Sequence, residues 1–373
     1  MTEDPWHFER RELATRTLSL LTKGPAQALT MFAPRRTGKT EFLIKDLAPL
    51  AEGKGHRVIY ASFWQAPLSP LAVLLHALEL SLKKGKFSDR IRNTALVLAP
   101  KLRLSAPIPG AKVEAEIDLT ALDKKPPSEL LLYMDDLLER LARKRKATIL
   151  MLDEVQELAK SPNNAPLVAA LRTSLDKRSS RLKAVFTGSS REGLAAMFGA
   201  RQAPFFHFAT PIELETLGRP FVDHLIKIFK KSSCRTLNRT EMLTAFERLH
   251  ANPFFFRNLI EVLLLDTSLG IEEAVERVRY RIAAELGYPE TWLALTPVQR
   301  AVAGLLAYGV DKPFSQSSRE AMATALGESA PSPARVQAAL RKLNKLGLAD
   351  TYTGGWALDD PEFSAWIKET QKP

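Results

Sequence analysis

The chain has 373 residues, 45% of them hydrophobic, with a formal net charge of +11 and a pI of about 9.6. This length favours two or three domains with apolar cores, and the positive charge favours polyanionic partners such as nucleic acid. No apolar run is long enough to span a bilayer, the first residues lack the basic and apolar regions of a signal peptide, and one cysteine excludes an intramolecular disulfide or a thiolate metal cluster. We therefore expect a cytoplasmic protein that does not enter a membrane.

The first elements form a strand, a loop and a helix. An amphipathic helix is expected from Phe8 to about Leu21, and the apolar run Ala28–Phe32 is typical of a strand buried in a parallel sheet. The next residues, 33–40, read Ala-Pro-Arg-Arg-Thr-Gly-Lys-Thr and lead into helical spacing. They match G-x-x-x-x-G-K-[ST], except that Ala33 replaces the first glycine, so they predict a phosphate-binding loop.

Such a loop presents unpaired backbone N–H groups at a helix N-terminus to a polyphosphate. Lys39 is expected to reach the β and γ phosphates of ATP, and the Thr40 hydroxyl to ligate Mg²⁺. The candidate nucleotide contacts are Pro34, Arg35, Arg36, Thr37, Gly38, Lys39, Thr40 and Glu41.

Further along, residues 57–63 predict a second strand and residues 69–85 a helix. Residues 100–127 contain five prolines and an alternating stretch, so they predict a β-hairpin insertion whose role we do not assign. A helix is expected from Ser128 to about Arg143.

A second buried-strand run, Ala147–Leu152, ends in Asp153-Glu154. An acidic pair at the carboxyl end of such a strand lies where α/β sheets bind ligands. We expect Asp153 to hold Mg²⁺ through water and Glu154 to orient and deprotonate the attacking water. Alternatively, the pair is a helix N-cap and a first-turn acid.

The remaining core elements continue the alternation of strands and helices. Residues 165–176 predict a helix, residues 183–190 a strand with a polar end, and residues 191–198 a short helix. The last strand is expected to begin at Pro204–Phe208. This alternation predicts an α/β fold with a doubly wound parallel sheet.

The C-terminal part changes character. Four helical patterns without strands between them predict a helical lid, and three helices followed by a hairpin around Gly354-Gly355 predict a winged helix. We expect the ATPase core at residues 1–217, the lid at 218–290 and the winged helix at 291–373.

The positive charge lies outside the winged helix. Residues 291–373 hold nine Lys/Arg and eight Asp/Glu, which leaves 44 against 34 for residues 1–290. Basic clusters there predict either solvated helix ends or a surface that binds DNA or RNA. They are Lys83, Lys84 and Lys86; Arg140, Arg143, Lys144, Arg145 and Lys146; Lys177, Arg178, Arg181 and Lys183; and Lys227, Lys230 and Lys231.

Together these features resemble the AAA+ and STAND P-loop ATPases, most closely the archaeal-type ATPase family with a C-terminal winged helix. The resemblance covers nearly the whole chain. It is carried by the loop 34–40, by Leu152-Asp153-Glu154, by residues 186–190, by Asn252-Pro253 and by residues 359–363.

The resemblance implies several residue roles. Thr187, or Ser189 next to it, would be the sensor of the γ-phosphate or attacking water, unless it merely ends a strand. Arg201 would be an arginine finger acting on a neighbouring subunit, with Arg191 and a plain surface arginine as alternatives. Pro253 would pack on the nucleotide or simply start a helix.

Other positions match the family less well. The position after the lid proline, where the family has an arginine, holds Phe254, and Arg257 is a weak second-sensor candidate. Phe8 and Arg10 match the start motif near the adenine, or they pack in a core.

The resemblance implies an ATPase of low intrinsic turnover whose nucleotide state controls the arrangement of lid and winged helix, as a homo-oligomer or with a protein partner. On the third winged-domain helix, Gln337, Arg341 and Lys345 lie opposite the apolar stripe, as expected for contact with duplex DNA. The alternative is a signalling switch whose winged helix docks on protein.

Overall fold

The computed structural model describes residues 4–66, 69–83, 87, 126–143, 146–189, 191–199, 201, 203–310, 312–352, 355–358 and 360–371. The chain divides into two compact units. The sheet unit comprises Glu9–Ala33 and Lys39–Leu214, and the helical unit comprises Met1–Phe8, Pro34–Gly38 and Glu215–Pro373. The hairpin insertion expected at 100–127 lies almost wholly outside the described residues, and the three-part division at 217 and 290 stays a prediction.

The sheet unit is built on five parallel strands in the order β2-β3-β4-β1-β5. All six residues of β3 are buried, as expected for the central part of a parallel sheet. The strands are β1 Ala28–Phe32, β2 Arg57–Ser62, β3 Thr148–Asp153, β4 Leu182–Gly188 and β5 Thr210–Glu213.

Helices cover both faces of this sheet. Residues alternate along β3, so that Leu150 and Leu152 join one hydrophobic cluster while Ile149 and Met151 join another on the opposite face. This confirms the doubly wound α/β fold. The helices are α1 Arg11–Thr22, α2 in three segments (Lys39–Glu41, the π-helical Phe42–Leu47 and Ala48–Gly53), α3 Pro70–Leu82, α4 Pro127–Ala142, α5 Ala165–Lys177 and α6 Arg191–Leu194.

The helical unit holds the lid and winged-helix elements around one hydrophobic cluster. Their starts are fixed by side-chain caps: Asn238, Asn252, Thr296, Ser315 and Ser332 each accept a hydrogen bond from a first-turn backbone N–H. The elements are α7 Arg219–Ser233, α8 Arg239–Arg248, α9 Pro253–Leu265, α10 Ile271–Glu285, α11 Tyr288–Ala294, α12 Pro297–Ala307, α13 Gln316–Leu326, α14 Pro333–Lys345, β6 Ala349–Tyr352, β7 Gly355–Leu358 and α15 Pro361–Thr370.

One sequence prediction is wrong. The last strand does not begin at Pro204–Phe208 but at Thr210. The earlier residues form turns, in which the N–H of Phe208 donates to the carbonyl of Phe205 and His207 has a positive φ of 54°. Phe205 and Phe208 pack on Phe186, so this apolar segment covers the sheet instead of extending it.

None of the helices among the described residues is both long enough and apolar enough to cross a membrane.

Candidate nucleotide-binding site

The sheet register brings the polar strand ends together. Asp153 at the end of β3 pairs with Ser62 on β2, and Leu152 pairs with Phe186 on β4, so Asp153 lies level with Thr187. At the same edge, Phe32 at the end of β1 pairs with Gly188. Since the carboxyl ends of parallel strands share one edge, the predicted acidic pair, sensor position and loop strand converge there.

Asp153 is the centre of a buried hydrogen-bond network. Its side chain is 1% exposed. One carboxylate oxygen, Oδ2, accepts from the Thr40 hydroxyl at 2.7 Å and from the Tyr60 hydroxyl at 3.0 Å. The other oxygen, Oδ1, accepts from the Thr187 hydroxyl and from the N–H of Glu154 at 3.1 Å. Four donors around one carboxylate hold its orientation firmly.

Tyr60 is held in its protonated form by this environment. Burial raises the pKa of the Tyr60 hydroxyl well above its usual range, and the Asp153 carboxylate raises it further. Tyr60 therefore acts as a permanent donor to Asp153.

Glu154 lies outside the regular strand and has its own partners. Its backbone is left-handed, with φ 55° and ψ 44°, which turns the chain sharply between β3 and the 3₁₀ helix Val155–Lys160. Its Oε2 atom accepts from the Ser189 hydroxyl at 2.7 Å and from the side-chain amide of Gln156. The same amide lies 3.3 Å from the Ser189 hydroxyl, so the three side chains form a closed cluster.

The cluster depends on a glycine. A Cβ at Gly188 would lie 2.4 Å from Oε1 of Gln156 and 3.0 Å from side-chain carbons of Leu194. Because Gly188 has no side chain, the amide of Gln156 can occupy this space.

The loop residues divide between the two units. In the sheet unit, the Lys39 amino group is buried and donates to the carbonyl of Ala33 at 2.6 Å. In the helical unit, the Thr37 hydroxyl donates to the carbonyl of Pro34 at 2.7 Å, and Arg36 and Gly38 have φ of 65° and 91°. A positive φ at a non-glycine residue such as Arg36 is uncommon and marks a constrained backbone.

Other predicted nucleotide contacts have their own surroundings. Arg35 and Thr40 are exposed. The Glu41 carboxylate accepts from Lys45 at 2.7 Å, an i,i+4 ion pair along α2.

Within the helical unit, Arg36 contacts the first turn of α9. Its guanidinium carbon lies 5.5 Å from the ring centre of Phe254 and 5.8 Å from that of Phe255, in cation–π range. Pro253 is the first residue of α9, and the Asn252 side chain accepts from the N–H groups of Phe254 and Phe255. The resemblance expects an arginine at position 254. The residue there is Phe254, and the guanidinium of Arg36 from the loop lies over its ring.

The remaining predicted residues are described within their own units. Arg201 is exposed in a turn before β5, and Arg191 begins α6. In the helical unit, Arg257 pairs with Asp4 at 3.4 Å, and the ring of Phe8 packs on Phe221 with centres 5.9 Å apart. The packing of Phe8 favours the core alternative.

Sequence reasoning missed Tyr60 and Gln156, and it gave Gly188 no role of its own within residues 186–190. Tyr60 is a polar residue two positions before the end of a buried strand, and Gln156 follows the acidic pair at a distance of two residues. Both positions are compatible with contact to the acidic pair. Neither signal says which carboxylate is contacted, because that depends on strand order and on the left-handed turn at Glu154.

The donor set suits Mg²⁺ bound with a phosphate. The hydroxyl of Thr40 and the carboxylate of Asp153 are hard oxygen ligands within 2.7 Å of each other. Among the described residues there is no group of three or more His, Cys, Asp or Glu that could hold a metal ion unaided. Mg²⁺ usually keeps waters and takes one or two protein ligands plus substrate phosphates, so this sparse set fits it.

Comparison with solved structures finds the same fold. A Walker-type ATPase of Pyrococcus abyssi is 18% identical, with a TM-score of 0.65, over 96% of this chain and 95% of that chain. The ORC2 protein of Aeropyrum pernix, in its ADPNP–ADP complexes, is 17% identical, with a TM-score of 0.54, over 96% of this chain and 93% of that chain. No protein-family model matches the sequence, and a search among curated proteins finds no relative. The likeness spans nearly the whole chain and confirms the P-loop ATPase fold expected from the sequence.

Proposed function

We propose that the protein is an AAA+/STAND-type ATPase that binds ATP with Mg²⁺ and hydrolyses it slowly, acting with DNA through its winged helix. The single observation that carries this proposal is the hydrogen-bond network in which Asp153 accepts from Thr187 and from Thr40, which follows Lys39 at the end of the loop. A loop threonine and a strand-end aspartate, 113 residues apart in sequence, share one hydrogen bond, as a nucleotide and metal site requires.

The roles of the residues follow from their chemistry. Lys39 would bind the β and γ phosphates, and Thr40 and Asp153 would hold the metal ion, which neutralises phosphate charge when bound. Thr187, fixed on the Asp153 carboxylate, would orient the attacking water or γ-phosphate. Glu154 would accept the proton of that water.

The partners of Glu154 support slow hydrolysis. A general base must contact the water that it deprotonates, within about 2.6 to 3.2 Å or through one further water. Here the Oε2 atom of the Glu154 carboxylate accepts from Gln156 and Ser189. We propose that this is a resting arrangement and that turnover rises when Glu154 leaves it.

Acceleration would come from a second subunit. The exposed position of Arg201 is compatible with a finger that stabilises charge on the phosphoryl group of a neighbour. This role requires a homo-oligomer. We also propose that nucleotide state controls the arrangement of lid and winged helix, and the contact of Arg36 with Phe254 supports a link from the loop to the lid helix α9.

Variants at the loop and the acidic pair test the ATPase. Isothermal calorimetry with ATP and Mg²⁺ should show no binding for Lys39→Ala, because the phosphates lose their cation. Glu154→Gln should bind ATP with the wild-type affinity but lose turnover in a phosphate-release assay. Wild-type turnover in either variant would refute the assigned roles.

The DNA role is supported by α14. Gln337, Arg341 and Lys345 are all exposed, while Val336, Leu340 and Leu343 are buried.

We expect binding to duplex DNA that weakens with salt and is tighter with a non-hydrolysable ATP analogue. Arg341→Gln/Lys345→Gln should reduce the slope of log K against log [salt] by about 2, since two phosphate contacts are lost. Lys230→Gln/Lys231→Gln, on the exposed end of α7, removes the same charge elsewhere and serves as control.

One observation favours the alternative, a switch whose winged helix docks on protein. A cleft of about 480 Å³ lies between α12, α13 and α14, and Pro297, Val298, Leu326 and Ala339 are among its lining residues. Such a cleft suits an apolar side chain of a partner. Absence of DNA binding with and without the ATP analogue would favour this function.

A further inference from the structure

A second concave site lies at the opposite edge of the sheet from the acidic pair. This cleft, of about 560 Å³, is formed in the sheet unit by the end of α1, the end of α2 and the start of β3. We call it the amino-edge cleft. It is lined by Thr15, Ser19, Thr22, Lys23, Gly53, Lys54, Gly55, His56 and Lys146.

The lining is strongly basic. It contains three lysines and a histidine, and it contains no aspartate or glutamate. Among the residues that the structure describes, Lys23, Lys54 and Lys146 form no ion pair. The lining of the cleft therefore carries a net positive charge.

Hydroxyl groups line the same cleft. Thr15, Ser19 and Thr22 follow one another at i, i+4 and i+7 and so share one face of α1. The Thr22 hydroxyl donates to the carbonyl of Leu18 at 2.7 Å, so Thr15 and Ser19 are the two whose hydroxyls would donate to a phosphate. Hydroxyls and lysines are the side chains that proteins commonly use to contact phosphate oxygens. The combination matches a chain of phosphates better than a single carboxylate.

The basic side chains are positioned by the backbone. Lys146 donates to the carbonyl of Lys54 and lies against Gly55, where an added Cβ would be 3.2 Å from its amino nitrogen. Gly55 has a φ of 82°, which favours glycine. The His56 Nδ1 lies 3.1 Å from the carbonyl of Ala147, to which it donates.

Helix ends explain part of this charge. Lys23 and Lys54 are the C-cap residues of α1 and α2, where a cation interacts favourably with the helix dipole. Lys146 donates one of its three N–H groups to a cap carbonyl and keeps two for other acceptors. The dipoles do not explain His56, the row of hydroxyls or the concave shape.

The cleft is separate from the nucleotide site. Its residues precede β2 and β3, whereas Asp153 ends β3. A strand of six residues spans about 20 Å at roughly 3.3 Å per residue. An anion in the cleft would therefore not compete with ATP.

We infer that the amino-edge cleft binds the phosphate backbone of a nucleic-acid strand. The inference is independent of a DNA role for the winged helix, since it uses other residues of the other unit. It assigns part of the positive charge of residues 1–290 to a specific surface.

The test measures binding of a fluorescent single-stranded and a duplex oligonucleotide by anisotropy between about 50 and 200 mM salt. In Lys23→Gln/Lys54→Gln/Lys146→Gln, affinity at low salt should fall at least about tenfold, and the slope of log K against log [salt] should decrease by about 2 to 3. The matched control, Lys227→Gln/Lys230→Gln/Lys231→Gln, removes the same charge from α7. Equal losses in both triple variants would mean general attraction and overturn the inference.

Two further arms distinguish binding of a nucleic-acid strand from a folding defect and from a small-anion site. Ser19→Glu adds a carboxylate at an exposed position without removing a lysine, so it should weaken binding even if the triple variant folds poorly. If tripolyphosphate alone binds in the cleft but oligonucleotides do not, the nucleic-acid assignment is wrong. ATP turnover should stay at the wild-type rate in the cleft variants, so a failed ATPase proposal and a failed cleft proposal give different results.

Discussion

Gln156 is the residue through which the resting position of Glu154 can be tested. We expect Gln156→Met, which keeps the length of the side chain, to raise basal ATP turnover about tenfold or more with little change in KM. The reason is that one of two hydrogen bonds that hold the base is lost, and a bond to a charged group contributes about 1.5 to 3 kcal/mol. Steady-state phosphate release measures the effect. A fall in kcat would mean that Gln156 aligns the base for reaction instead of restraining it.

Tyr60 offers a second test at this scale, on stability. Tyr60→Phe leaves the buried Asp153 carboxylate without one donor, so we expect unfolding free energy to fall by about 1.5 to 3 kcal/mol. The matched control is Tyr133→Phe, which removes a hydrogen bond to the more exposed Glu79 and should cost less. Urea denaturation of both variants makes the comparison. Equal losses would show that Asp153 does not depend on Tyr60.

Individual site residues were predictable from the sequence where they belong to a motif at the end of a strand. Lys39, Thr40 and Asp153 follow from a loop after one strand and an acid after another, and the structure places the side chains of Thr40 and Asp153 in contact. The role of Gln156 was not predictable, because its contact depends on the positive φ of Glu154 and on the missing Cβ of Gly188.

At the scale of elements, apolar runs identified β1 to β4 because these strands are buried on both faces. The same signal failed before β5, where an equally apolar segment packs on Phe186 as turns. Apolar periodicity measures burial, so it cannot separate a strand from an aromatic segment that covers a sheet. The helices α11 and α15 were not predicted.

The start of α9 provides a test at this scale. The Asn252 side chain caps the helix by accepting from two backbone N–H groups, after two residues with positive φ. Asn252→Ala should lower the unfolding free energy by about 1 kcal/mol, as loss of a helix cap usually does. Asn252→Asp retains an oxygen acceptor and should be close to the wild type. A similar loss in both variants, measured by thermal unfolding, would show that the cap bond is not the stabilising feature.

At the scale of the whole molecule, a buried ionisable cluster in the helical unit couples stability to pH. Glu362 on α15 is 3% exposed, and burial raises its pKa to about 7. The groups that face it are Arg279 on α10, His250 before α9, and Asp360, Glu369 and Tyr288. Burial lowers the pKa of His250, so the two groups shift in opposite directions.

The sign of the pH effect follows from proton binding. Between the ordinary pKa of 4.5 and the raised value of about 7, the folded protein keeps a proton on Glu362 that the unfolded chain has lost. Stability from this group is therefore greatest below pH 4.5, declines as pH rises, and is lost above about 7. A Glu362→Gln variant stays uncharged, so its Tm relative to wild type should increase from about pH 5 to about pH 8, by an amount that corresponds to at most a few kcal/mol. Since His250 lies 3.6 Å from Glu362, the difference reports on Glu362 together with its coupling to His250. A difference in Tm that does not change with pH would show that Glu362 is ionised in the folded protein throughout this range.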